Sequence, residues 1–437
     1  MSDCTPAPHH FPALNHKTLS VDFSGGHVSS DGGLLLLRAM DRRLGLTRKI
    51  AGQFKDHREQ GKVVHTTLSM LRQRVYGLAC GYEDGNDHTT LRHDIALQTA
   101  VEKDTQLASS ATLCRFESRA NRELAVSAHR AIIETFVSSF LQAPKELILD
   151  FDATDDPIHG NQDGKFFHGY YGNYCFLPLY VFCEKQLLVS YLRPSNIDGA
   201  KHSWAILSLL VKRFRQAWPE VRIIFRGDSG FCRHRILDWC DRHNVDYIVG
   251  VARNRVLEKK LAPSMRLAQE IYEISGGKAR LFYPFIYQAG SWKKQRRIIG
   301  KAEYGSKGDN PRFITTTLKG MPRSLYENVY CARGEMENRI KEQQLELFAG
   351  RTSCSKWWPN QWRLILSSLA YILIEHIRAA ALYDTGLKNA TVGTIRLKLL
   401  KIGTVITRNT RRIYFRMSSH YPYKELFMLI AKRLAMT

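Results

Sequence analysis

Three carboxylates, Asp152, Asp228 and Glu337, stand in positions from which separate elements could bring acids together. Asp152 nearly closes the run ELILDFDA, residues 146–153, whose pattern predicts a strand. Alternation puts Asp150 and Asp152 on one face of it, with Leu149 and Phe151 on the other. Asp228 lies in Gly227-Asp228-Ser229-Gly230, just past the predicted strand VRIIF, where ligand sites gather in open α/β sheets. Glu337 falls in a predicted helix further on. Magnesium and manganese take hard oxygen ligands, and carboxylates supply them. Two such ions about 3.5–4 Å apart can activate the attacking oxygen and stabilise the leaving oxygen of a phosphodiester. Each acid also has an ordinary structural use. An Asp at a strand end commonly caps a turn, and Glu337 can pair with Arg333 and Lys341, each one helical turn away. Asp150 competes for the first position. Glu335 competes for the third, but it points roughly 200° around the helix from Glu337.

Charge describes what surrounds such a site. The 437 residues carry 64 Lys and Arg against 41 Asp and Glu, a net charge of +23. Residues 146–251 have a net charge of −1, whereas residues 252–329 carry +10 and residues 338–437 carry +12. A carboxylate-bearing block followed by two basic ones fits a cation-holding core flanked by phosphate-binding surfaces. The expected partner is a polyanion, nucleic acid being the commonest. A hydrophobic content of 44% and a charged content of 24% exclude wholesale disorder. The nine cysteines include no C-x-x-C pair, and the histidines form no H-E-x-x-H, so zinc-ribbon and zincin chemistry lose their signals. The first residues lack the basic-then-apolar pattern of a secretory leader. The most apolar stretch, Leu364 to Tyr383, carries Glu375, His376 and Arg378 and reads as a buried helix, so no membrane partner and a cytosolic placement are expected.

The elements that must position these residues follow from periodicity. Residues 30–145 are mainly helical in pattern, with short helices around a polar turn at 89–122 that permit a helix-turn-helix. From Glu146 the texture changes to strands at 146–153, 174–183 and 186–192, then helix, strand, helix and strand up to Val251. This order predicts an α/β sheet covered on both faces. Residues 278–318 read as antiparallel strands. After Tyr330 the chain is helical to about Leu382, with a hairpin and a short helix in the basic tail. Ser229 is expected to cap, and Phe231 to begin packing. Trp357, Trp358 and Trp362 are expected to pack a helix on the sheet, and His168, amid aromatics, to face the core or DNA.

Together the blocks DATD (152–155), RGDSGF (226–231) and YCARGEMENRIKEQ (330–343) resemble those of bacterial insertion-sequence transposases of the DDE type. Their C-terminal block is Y-(2)-R-(3)-E-(6)-K, which Tyr330, Arg333 and Glu337 match, while Gln344 replaces the final lysine and Lys341 lies one turn earlier. Residues 160–180 and 353–366 resemble in particular the insertion-sequence family numbered thirteen-eighty.

The resemblance covers about residues 20–435 and implies an RNase-H-like core, a mixed sheet with helices on both faces. By it, residues 1–145 form a helical DNA-binding domain, 146–251 and 326–385 the two parts of the core, 252–325 a basic β-rich insertion, and 386–437 a DNA-contacting segment. Asp152, Asp228 and Glu337 would be the catalytic, metal-binding triad, and Asp152 is preferred to Asp150 because Ala153 and Thr154 follow it as in the family. Two Mg2+ ions per site, with Mn2+ tolerated, would cut transposon ends and join them to target DNA. Tyr330, Arg333, Lys341 and Gln344 form one stripe toward DNA. Trp292, Lys293, Arg296 and Arg297 in the insertion, and Arg411 and Arg412 in the tail, would contact DNA too, with Trp292 stacking on an unpaired base or packing in a core. The partners would be terminal inverted repeats and target DNA, handled by a homodimer on the bacterial nucleoid. A metal-dependent endonuclease on the same core, or a silent DNA-binding protein, would share most of these features.

Overall fold

The structure is a computed structural model that describes residues 9–435. The chain divides into two compact units, one of residues 1–116 with 373–437 and the other of residues 117–372. These units cut across the segments expected from composition. The N-terminal helices and the basic tail belong to one unit, and residues 117–145 belong with the sheet. Charge composition tracks surfaces, whereas packing decides which segments form a unit.

The second unit contains β1 (Glu146–Ala153), β2 (Leu179–Cys183), β3 (Gln186–Tyr191), α1 (Ser203–Ala217), β4 (Arg222–Gly227), α2 (His234–Arg242) and β5 (Asp246–Val251). Then come α3 (Arg255–Ser275), β6 (Ala279–Tyr287), β7 (Arg296–Gly305) and β8 (Arg312–Thr316). The strands lie in the order β6-β7-β8-β5-β4-β1-β2-β3, with the two-residue strand Gly308–Asp309 paired to β7. β1, β4 and β5 run parallel, and the flanking pairs are antiparallel. The sheet is mixed and carries helices, as the alternating pattern predicts.

Two details differ from the sequence reading, and a third goes beyond it. The run 174–183 is broken at Leu177 and Pro178, so Asn173–Phe176 pairs in a small separate sheet with Asp156–Pro157 and Phe166–His168. A proline lacks the N–H that a continuing ladder needs. Arg255–Ser275, which carries no strand or helix in the reading above, is a helix capped by Asn254 and stopped by Gly276 in the left-handed region. The antiparallel strands expected in residues 278–318 are present, and they extend the same sheet through β8 on β5, a pairing that the sequence reading did not specify.

Alternation sorts the two faces. Leu149, Phe151, Ile223 and Phe225 pack in one cluster with Leu207 and Phe214 of α1 and Ile236 and Leu237 of α2. Ile224, Ile248, Ile299 and Ile314 point the other way and meet Leu325 and Tyr326 of the helical segment that follows β8. On this second face Arg226 of β4 stands directly opposite Asp150 of β1. Its guanidinium grips the Asp150 carboxylate with two nitrogens, Nη2 at 2.6 Å, and donates a further bond to the Val329 carbonyl. Asp150 is 2% exposed.

The helix α4 (Gly334–Lys341) belongs to a longer helical path. A π-helical turn at Leu325–Tyr330 and a 3-10 turn at Cys331–Arg333 precede it, and a second π-helical turn, Glu342–Glu346, follows. The helix α5 (Trp357–Ala381) has residues in both units and is long and apolar enough to cross a membrane, yet 89% of its most apolar window is buried within the protein. Its Gln361 and Ser368 bond to Ser190 of β3, which marks it as a core helix. Trp357 packs edge-on against Phe176, and Trp362 is buried.

In the first unit the described helices include Leu34–Leu44, Thr67–Ala79 and Ile95–Val101. Val28–Ser29 joins the tail hairpin Thr404–Arg408 and Ile413–Met417 in one sheet. The polar stretch at 89–122 holds His88–Leu91, Ile95–Val101 and Ser110–Glu117 as three short helices.

Removing the Asp150 carboxylate leaves Arg226 charged and buried. Asp150→Ala is expected to lower the unfolding free energy by about 3–5 kcal/mol, read as a fall in the urea midpoint at unchanged slope.

Candidate active site

The pairing of β1 with β4 sets Asp152 and Asp228 at neighbouring strand ends. Asp228 leaves β4 in extended conformation and caps the turn itself, its Oδ1 accepting the Gly230 N–H at 2.8 Å. The capping role expected of Ser229 therefore falls to Asp228, because only a side chain at the first position of this turn faces the following amides. Phe231 is buried in the core, as expected.

The helical path delivers the other groups. Arg333 sits between two of the acids, with Nη1 3.1 Å from Asp152 Oδ2 and Nη2 2.6 Å from Glu337 Oε1. Burial pushes the Asp152 carboxyl up to about 7; Arg333 opposes the shift, and the charges of Asp228 and Glu337 add to it. Burial alone would lower the Arg333 guanidinium, but Asp152, Glu337, Tyr330 and Asp228 together raise it above its ordinary value. The three acids and the arginine thus form one electrostatic group.

Tyr330 closes this group from the side of β5. A methyl group on Gly250 would lie 2.6 Å from the Tyr330 hydroxyl and 2.8 Å from the Ser229 amide nitrogen, so only glycine fits there. Sequence reasoning passed over Gly250, although a glycine inside the apolar strand DYIVGV signals a close approach. At the far end of the stripe, Gln344 Nε2 donates to the Asp155 carbonyl at 3.1 Å. The position where the family pattern has a cation therefore ties down the chain leaving β1. Lys341 is exposed on α4.

The rival acids are placed elsewhere. Asp150 is held by Arg226, one β-period before Asp152. Glu335 is exposed and faces Arg339 at 3.7 Å. Asp152, Asp228 and Glu337 remain as hard oxygen donors within electrostatic range of one another and of Arg333, the donor type a divalent cation takes. Among the described residues no three His, Cys, Asp or Glu side chains are drawn together tightly enough to ligate one ion.

The residues expected to bind DNA in the 252–325 segment divide sharply. Trp292 is 5% exposed and packs against Tyr287, so it offers no face to a base. Arg296 is 3% exposed and is held by Asp238 at 2.7 Å and Asp241 at 2.6 Å. The sequence run Trp-Lys-Lys-Gln-Arg-Arg looks uniformly basic, but the acids that neutralise Arg296 come from α2. Arg297 donates to the carbonyls of Leu318 and Gly320. Lys293 is exposed and lines a surface cleft with His234, Arg235 and Arg242. Arg411 and Arg412 are exposed at the tip of the tail hairpin, their backbone amides bonded to Asn409 Oδ1. His168 is half-buried, in ring contact with Tyr171.

Two aspartates at neighbouring strand ends and a helix-borne glutamate, with arginine and tyrosine beside them, make up this candidate site. The model of the family described as transposase DDE domain group 1 matches residues 11–437, so the chain belongs to that family and is a DDE-type transposase enzyme. Among solved structures it is similar to a chain of the cryo-EM structure of the piggyBac transposase synaptic complex with hairpin DNA. The two share 10% sequence identity with a TM-score of 0.41, over 93% of this chain and 82% of that chain. No curated protein matches the sequence.

The raised Asp152 carboxyl has a consequence for stability. Its folded-state value of about 7 lies above the ordinary 3.8, so the protonated form favours the fold. That contribution is complete at low pH and is lost as pH rises through about 7. Asp152→Asn cannot ionise. In metal-free buffer its Tm is therefore expected to gain on the wild type between pH 5 and pH 8, measured by differential scanning calorimetry.

Proposed function

We propose that this enzyme is the transposase of a bacterial insertion sequence of the family numbered thirteen-eighty, and that it binds terminal inverted repeats, cuts the element's ends and joins them to target DNA. The observation that carries the reading is that Arg333 bridges Asp152 and Glu337, with Asp228 near enough to add its charge. An RNase-H-like core is supported by the strand order β3-β2-β1-β4-β5, with β1, β4 and β5 parallel and β2 and β3 antiparallel. The acids fall at the ends of β1 and β4 and on a following helix.

Asp152, Asp228 and Glu337 would hold two Mg2+ ions, with Mn2+ tolerated. When bound, these ions supply Lewis-acid activation of the attacking oxygen and charge neutralisation at the leaving oxygen. The Gly230 amide holds Oδ1 of Asp228, and Oδ2 is the oxygen that would serve a cation. Arg333, already among the acids, has the planar fork that suits a phosphate oxygen beside them. Tyr330 presents its hydroxyl over the Asp228 turn. Both cutting and joining are in-line phosphoryl transfers, so one site can serve both.

Lys341, Lys293, Arg297, Arg411 and Arg412 would track phosphates, in keeping with the net charge of +23. Synapsis needs two ends held together, which favours a homodimer in the complex. Its setting would be the bacterial cytoplasm, at the nucleoid.

With DNA carrying the ends that flank the gene, magnesium- or manganese-dependent cleavage and strand transfer are expected from the wild type. Asp152→Ala, Asp228→Ala and Glu337→Ala should each lose about a thousandfold or more, as when a metal worth several kcal/mol is no longer held. Cleavage without joining would indicate an endonuclease instead, and undiminished activity in the variants would overturn the site.

A further inference from the structure

A second feature adjoins the acids and has no role in the reading above. Past Asp155 the chain forms a hairpin of Phe166–His168 and Asn173–Phe176. Its turn is Gly169-Tyr170-Tyr171-Gly172, closed by a bond from the Gly172 amide to the His168 carbonyl at 2.8 Å. Gly172 has a φ of +68°, so the turn is built for glycine. The hairpin exposes aromatic side chains to an unusual degree: Phe167 is 57% exposed, Tyr170 87% and Tyr174 53%. The rings also meet one another. Phe167 and Tyr174 pack edge-on at 5.6 Å between centroids, and Tyr170 and Tyr171 do so at 5.0 Å. The Lys165 ammonium lies 5.4 Å from the centre of the Tyr174 ring.

This group is anchored rather than trailing. The Ser195 hydroxyl donates to the Phe166 carbonyl, and the Ile158 amide donates to the Tyr174 carbonyl, each at 2.8 Å. At the base of the hairpin Gly164 lies flat against Trp357, where a methyl group would come within 2.6 Å of the indole. The hairpin is also fastened to the active site. Asn173 Nδ2 bonds the Asp155 carboxylate at 3.2 Å, and the Asp155 carbonyl is the group that Gln344 holds. Tyr171 lies within electrostatic reach of both Asp155 and Asp152.

Exposed aromatic rings clustered on an anchored hairpin mark a binding surface. Their neighbour is a site for one phosphodiester, and the ligand group nearest a phosphodiester that has a flat π-face is a nucleobase. We propose that the hairpin of Phe167, Tyr170 and Tyr174 is a stacking platform for an unpaired base next to the reacting phosphate. It takes the role for which Trp292 is too deeply buried. Lys165 would contact the adjoining backbone. A base inside a duplex is stacked on both sides and cannot reach these rings, so the platform selects distorted or unpaired DNA ends. This inference rests on the DNA reading above.

The test compares three labelled duplexes by fluorescence anisotropy in EDTA with the full chain. One is blunt, one carries a single unpaired thymidine, and one carries an abasic site at that position. The wild type is expected to prefer the thymidine over the abasic duplex by about tenfold, the scale of one base–aromatic stack. The preference should vanish in Tyr170→Ala and in Phe167→Ala and return in Tyr170→Trp. A preference that survives both alanine variants overturns the platform, as does a wild type that binds blunt duplex with no preference; the second result leaves the DNA reading intact. Absence of salt-dependent binding to any duplex overturns the DNA reading and the platform with it.

Discussion

The arrangement depends most on the buried pair between Asp150 and Arg226. It joins β1 to β4 in register, and the same guanidinium reaches the Val329 carbonyl at the start of the helical path. Three groups of the active site are counted from these anchors. Asp152 lies two residues past Asp150, Asp228 two past Arg226, and Tyr330 follows Val329 directly. A buried ion pair is a weak source of net stability, since desolvation offsets most of the attraction. Its effect here is positional: it allows one relative placement of two strands and a helix.

A second constraint is electrostatic. Burial is the main cause that raises the Asp152 carboxyl, and the charges of Asp228 and Glu337 add to it. Arg333 relieves part of it, bridging strand and helix. The π-helical and 3-10 turns before α4 alter the pitch of the path just where Tyr330 and Arg333 must point at the strand ends. Such departures from regular helix commonly mark functional positions. Gly250 contributes from the opposite side by leaving out a side chain.

The basic character of the 252–325 segment has to be separated into two kinds of charge. Arg296 and Lys301 are spent inside the protein, on Asp238, Asp241 and Glu303. Lys293 faces solvent. The strands of this segment continue the central sheet, so the helix α3 and strands β6 to β8 widen the scaffold that carries the acids.

Much of this was legible in the order of residues. Period-two alternation placed Asp150 and Asp152 on one face, the strand-helix order from Glu146 to Val251 implied a mixed α/β sheet, and the spacing of Tyr330, Arg333 and Glu337 put them on one stripe. These features are local, set by side-chain direction along a strand or helix. What remained open was settled by contacts between residues far apart in the chain. Asp150 and Asp152 are equivalent by alternation; the resemblance prefers Asp152 through Ala153 and Thr154, and the structure adds that Arg226, 76 residues after Asp150, holds the Asp150 carboxylate. Trp292 and Arg296 look like DNA contacts by composition, and only the acids of α2 and the ring of Tyr287 show them to be internal. The aromatic hairpin was visible as a run of Phe and Tyr, but its exposure and its attachment to Asp155 are properties of the fold. Sequence determines which side chains share a face; burial and pairing across the chain decide which of them stay free to meet a substrate.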